Sequence, residues 1–83
     1  MIFRVLVMDK TAAVRNVRLS FVTLADSPIE AAGKALRDLA SQHPLKFAGE
    51  CGKGDSKVSG FLSKDSNGNE IGIAVGPFEE AIV

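Results

Sequence analysis

Asp26-Ser27-Pro28-Ile29-Glu30 decides the fold, because it opens the one helix that this sequence supports. Ser27 stands at the N-cap, where its hydroxyl can accept from an orphan N–H of the first turn. Pro28 follows where a missing N–H costs nothing, and Glu30 takes the third position and closes a capping box. Beyond it Ile29, Ala32, Leu36, Leu39 and Ala40 recur at helical spacing, while Glu30, Lys34, Arg37, Asp38 and Ser41 take the wet side. Pro44, just after His43, stops the run. A helix with one apolar stripe needs a sheet to cover it.

The flanks supply that sheet. Residues 2 to 9 and 14 to 24 alternate as strands, and a short loop at Thr11-Ala12-Ala13 makes them a hairpin. The expected register sets Val7 opposite Val17, Val5 opposite Leu19 and Phe3 opposite Phe21. After the helix, Leu45, Phe47, Gly49 and Cys51 share one parity, and Gly52-Lys53-Gly54-Asp55 breaks that strand. Lys57 to Lys64 forms the next strand. Asn67-Gly68 reads as a two-residue type I′ hairpin loop, which pairs Leu62 with Ile73, Gly60 with Val75 and Lys64 with Ile71. Val58, Leu62, Ile71, Ile73 and Val75 then form a second apolar face, and Phe61 falls on the opposite side. Pro77 ends the ladder, and residues 78 to 83 form a tail. The expectation is a single α+β domain over residues 1–83, an antiparallel β-sheet with one α-helix packed on one face in the order β-β-α-β-β-β.

Composition narrows the function classes. The chain has 83 residues, 46% of them apolar, enough for one core and no second. Ten basic residues balance ten acidic ones, so the chain-wide basic footprint of most duplex-DNA binders is absent. Charge is uneven along the chain: Arg4, Lys10, Arg15 and Arg18 face only Asp9 in residues 1 to 24, while residues 45 to 83 are acidic on balance. The single cysteine, Cys51, rules out an internal disulfide and fits a reducing, cytoplasmic setting. The apolar start is interrupted by Arg4 and closed by Asp9, wrong for a signal peptide or a membrane span.

The chemistry-bearing motifs are incomplete. His43, the one histidine, sits at the expected helix end, where dipole and capping preferences account for it. Cys51 shares parity with Leu45 and Phe47 and reads as a small buried filler, so no catalytic dyad is expected. Asp65-Ser66-Asn67-Gly68-Asn69-Glu70 has its glycine at the fourth position instead of the sixth, so it reads as a turn and no metal site is expected. In Gly49-Glu50-Cys51-Gly52-Lys53-Gly54 the lysine is followed by glycine and then a strand, which no phosphate loop allows. No cofactor is expected, and the chain reads as a non-enzyme.

The outward face of the sheet remains. It should be polar where water covers it, yet Ile2, Leu6, Met8 and Val22 fall there with Arg4 and Arg18. Arg4, Leu6, Met8, Arg18 and Phe61 are therefore the candidate partner-binding residues, of the types that dominate interface energetics. A small chain with a hairpin, one capped helix, a further hairpin and no catalytic motif resembles the phage-encoded inhibitors of bacterial defence, such as anti-CRISPR proteins. The resemblance lies in layout and size and assigns no residue. It implies a protein that binds and blocks a larger protein or complex. Two alternatives remain: a single-stranded nucleic-acid module with Phe61 as a stacking platform, and a structural homo-oligomer, such as a homodimer, whose outer faces pack together.

Overall fold

The computed structural model describes residues 1–10, 17–52 and 57–78. The element order is β1 (Ile2–Asp9), β2 (Val17–Leu24), α1 (Pro28–Asp38), β3 (Lys46–Cys51), β4 (Val58–Lys64) and β5 (Glu70–Pro77). All five strands join one antiparallel sheet in the order β2-β1-β5-β4-β3, an α+β architecture. The first and last strands are thus neighbours in the middle. The β2-α1-β3 connection carries the chain from one edge of the sheet to the other, and the helix rides over β1, β5 and β2 on the way.

The helix starts as its sequence demands. Ser27 Oγ accepts from Glu30 N at 3.4 Å, and Glu30 Oε2 accepts from Asp26 N at 3.1 Å. Its inward stripe is Ala31, Ala32, Ala35 and Leu36, with Leu39 packed alongside. Ile29 is 56% exposed, because it lies in the first turn outside that stripe. Pro44 does not end the helix. Ser41 N donates to the Leu36 carbonyl at 2.9 Å and Ala40 N to the Arg37 carbonyl at 3.0 Å, a Schellman closure with Ala40 at φ +54°. The segment that follows crosses the end of β4, where Ser63 Oγ donates to the Pro44 carbonyl at 3.1 Å and Ser41 Oγ to the Lys64 carbonyl at 2.5 Å.

Under the helix lie Phe3, Val5 and Val7 of β1, Phe61 of β4, and Ile71, Ile73 and Val75 of β5. The β1–β2 register differs from expectation by two residues: Val5 faces Phe21 and Val7 faces Leu19. A shift of two preserves parity, so Leu19 and Phe21 still pack against the core. The loop between these strands, Thr11-Ala12-Ala13 included, lies outside the described residues.

The β4–β5 hairpin differs by one residue, and that changes everything on β4. Phe61 faces Ile73 and Ser63 faces Ile71. The cause is the loop. Asp65 N donates to Asn69 O at 2.9 Å and Gly68 N to Asp65 O at 3.0 Å, with Gly68 at φ +85°. This is a type I turn followed by a left-handed glycine, a loop of Ser66, Asn67 and Gly68 in place of the two-residue Asn67-Gly68. Asp65 holds it: its Oδ1 accepts from both Asn67 N and Asn69 N at 2.9 Å. One extra loop residue turns Phe61 into the core, at 4% exposure, and sends Val58 and Leu62 to the other face.

Candidate interaction surface

The open face of the sheet is built by the residues that alternate with the core. From β1 come Ile2, Arg4, Leu6 and Met8, from β2 Ser20, Val22 and Leu24, from β5 Gly72, Ala74 and Gly76, and from β4 Val58, Gly60 and Leu62. Cross-strand pairing sets them in rows: Val22, Arg4, Gly76; then Ser20, Leu6, Ala74, Gly60; then Val17, Met8, Gly72 and Leu62. The small residues of β5 make a trough between the longer side chains of β1 and those of β4. At Gly76 it is tight, since a Cβ there would stand 3.2 Å from Val58 Cγ2.

Two shallow clefts lie along that trough. One, of about 400 Å³, runs between Arg4, Leu6, Val58, Ala74 and Phe78. The other, of about 370 Å³, is bounded by Lys10, His43, Lys46, Lys64 and Glu70 with Leu62 in its wall. The stem of Lys10 lies over Gly72, where a Cβ would meet its Cγ at 3.7 Å. The two clefts differ in chemistry: the first is mostly apolar with one arginine, the second carries three lysines and one carboxylate.

Parity also sorts charge. Arg4, Lys10, Lys46 and Lys64 stand on the open side with Glu70, whereas Asp9, Glu50 and Asp65 fall on the helix side of their strands, and Asp26, Glu30 and Asp38 belong to the helix and its cap. No carboxylate among the described residues lies within ion-pair distance of Arg4, Lys10, Lys46 or Lys64. A chain of zero net charge therefore presents a cationic sheet face.

The candidate residues divide accordingly. Arg4, Leu6 and Met8 stand together on the open face as expected, with Arg4 exposed and Leu6 and Met8 half-buried. Phe61 does not join them. It is buried under the helix side, edge-on to Phe47 with ring centroids 5.7 Å apart. Arg18 is withdrawn as well. The β1–β2 register shifts between Val7 and Met8, leaving Arg18 as the extra residue of a bulge. Its guanidinium reaches Asp65 Oδ2 at 2.7 Å and Asp9 Oδ1 at 3.4 Å, both continuing the core parity of their strands.

Asp65 is the least exposed charged group described, its side chain 4% accessible. The Arg18 hydrogen bond first, then the Asn69 and Asn67 amides, hold its carboxyl at about 2 against the force of burial. Sequence reasoning missed this hub because Asp65 reads as an ordinary turn residue. The signal that could have found it is an Asp followed two and four residues on by the amides of a glycine-bearing turn.

Cys51 is exposed instead of buried, because a second bulge, between Phe47 and Gly49, moves it to the open side opposite Val58. His43 lies at the other end of β4, where its carbonyl accepts from Ser63 at 3.5 Å. At about 3.3 Å per residue the length of β4 separates the two, so they form no dyad. No group of metal-ligating side chains occurs among the described residues, and no helix there is long and apolar enough to cross a membrane. No family model, curated protein or solved structure matches this chain.

Proposed function

We propose that this chain is a non-enzymatic protein-binding module that docks its open sheet face on a larger protein or complex and blocks or adapts it, as the small inhibitors of bacterial defence do. The observation that carries this reading is the open face itself. Ile2, Val22 and Leu24 stay about half or more exposed there, Leu6 and Met8 border a trough of small residues, and no helix among the described residues covers them. Apolar surface of that kind, ringed by cations that pair with no carboxylate among the described residues, matches the core-and-rim anatomy of protein interfaces. Arg4, Lys10, Lys46 and Lys64 call for a partner with an acidic margin, and they steer its approach.

Single-stranded nucleic acid fits this face less well. Stacking needs aromatic rings, and Phe3, Phe21, Phe47 and Phe61 all belong to the helix side. Phe78, beside the Arg4 cleft, is the one ring that borders the open side among the described residues.

The test is capture from bacterial lysate by the immobilised chain, with nuclease-treated and untreated halves and mass spectrometry of what is retained. Leu6→Asp and Met8→Asp should abolish capture, and Arg37→Glu on the helix should leave it intact. Retention of the same protein by all of these variants defeats the open-face assignment. Retention only of nucleic acid that vanishes with nuclease and added salt moves the reading to phosphate binding.

A further inference from the structure

The two edges of the sheet are protected to different degrees. At β3 the edge is short and bulged, Gly49 stands at φ +146°, and Lys46 and Glu50 bring charge. These are devices that blunt an edge against pairing. At β2 the bulge and its arginine come at the start, and Leu19-Ser20-Phe21-Val22-Thr23-Leu24 runs on with no charge, proline or glycine. Such a segment carries the sequence signature of self-pairing.

Hydrogen bonding shows which groups are open. Ala25 N donates to the Met1 carbonyl at 3.0 Å, and alternation along an antiparallel pair then makes Phe3 with Thr23, Val5 with Phe21 and Val7 with Leu19 the bonded pairs. Phe78 N donates to the Ile2 carbonyl at 3.2 Å, which agrees, since the other residues of β1 serve β5. Ser20, Val22 and Leu24 therefore turn their N–H and C=O groups away from β1. The Lys34 ammonium donates to the Leu24 carbonyl. Among the described residues, Ser20 and Val22 keep both groups unpaired.

We propose that β2 pairs with β2 of a second copy of this chain, antiparallel about a two-fold axis at Phe21, so that two five-stranded sheets become one. Ser20 of each copy then faces Val22 of the other, and the two pairs exchange all of their open backbone bonds. The open groups flank Phe21 symmetrically, which is what a two-fold needs and what an arbitrary partner strand does not require. Paired residues share parity, so both open faces stay on one side and the two Phe21 rings meet on the helix side. Apolar exposure gathers at this edge: Met1, Ile2, Val17, Val22 and Leu24 are all at least about half exposed. Arg4, Leu6 and Met8 remain open in the pair, so this inference stands independently of the docking reading.

Sedimentation of the full chain over a wide concentration range tests it with no partner present. The mass should rise from one chain to two. Val22→Pro removes an outward N–H without touching the β1 ladder, and it should abolish the heavier species while circular dichroism shows the fold retained. Hydrogen exchange on the unmodified chain gives a second reading should that variant fail to fold. The Ser20 and Val22 amides should gain protection as concentration rises, while Leu19, Phe21 and Thr23 stay protected throughout. A mass of one chain at every concentration overturns the proposal. So does a pair that survives Val22→Pro, or one that Leu62→Lys destroys, which would mean that the open faces pack together. Protection of Ser20 and Val22 that appears only with a foreign protein also overturns it.

Discussion

The two faces of this sheet are cut from the same strands, one residue apart, and they have opposite characters. On the helix side Phe3, Val5, Val7, Phe61, Ile71, Ile73 and Val75 are nearly inaccessible, and the carboxylates of Asp9, Glu50 and Asp65 fall on that parity, while Glu70 of β5 stands on the other. On the open side the same strands show Arg4, Leu6, Met8, a trough of glycine and alanine, and lysines at one end. The difference teaches that facing is decided at the turns. A strand such as β4, which has Val58 and Leu62 on one parity and Phe61 on the other, carries enough apolar residues on both to be read either way. Its loop makes the choice.

The sharpest way to test that division is to truncate one large side chain from each face. Phe61→Ala should lower stability by about 3–5 kcal/mol, because it opens a cavity under the helix side, whereas Leu6→Ala should cost about 1 kcal/mol or less. Denaturant unfolding of both variants measures the contrast, and equal losses would erase it.

The hub that sets the register can be probed with acid. Asp65 ionises at about 2 in the folded chain, below its ordinary value of 3.8, so the folded state favours the carboxylate. Its contribution is fully present above the ordinary value and is lost as pH falls from about 4 to about 2. Asp65→Asn should be less stable than the parent at neutral pH, and the gap should close across that window. A gap that does not change with pH would mean that Arg18 contributes no pairing there.

Smaller effects belong to the helix that separates the faces. Ser27→Ala removes the cap on Glu30 N and should cost about 1 kcal/mol in thermal or denaturant melts. Ala40→Gly should stabilise by about 0.5–1 kcal/mol, since Ala40 closes the helix at φ +54°, where a Cβ is strained. A neutral or destabilising Ala40→Gly would contradict that closure.

Much of this was legible in the chain. The Ser27-to-Glu30 capping box places the helix, and the alternation of residues 2 to 9 and 70 to 77 places strands whose period is unambiguous. Register was legible only to parity for β1 and β2, where a shift of two changes partners without changing faces. It was not legible for β4, because Asn67-Gly68 satisfies two loop lengths and Asp65, which chooses between them, acts through backbone amides that leave no sequence period. For the same reason the candidate surface came through in part. Arg4, Leu6 and Met8 lie on a strand without ambiguity, Phe61 follows the loop, and Arg18 follows a bulge that no residue pattern announces.

The central pairing of β1 with β5 has a consequence for how the chain comes together. The 60 residues from Lys10 to Asn69 separate these strands, yet they form the spine on which β2, β4 and the helix all depend. Local pieces, the β1–β2 hairpin and the capped helix, have no covered core until β5 arrives. Folding on the ribosome must therefore wait for β5 to emerge, and high contact order makes that closure slow. Loss of β5 at any point would leave two hairpin remnants with apolar faces bared.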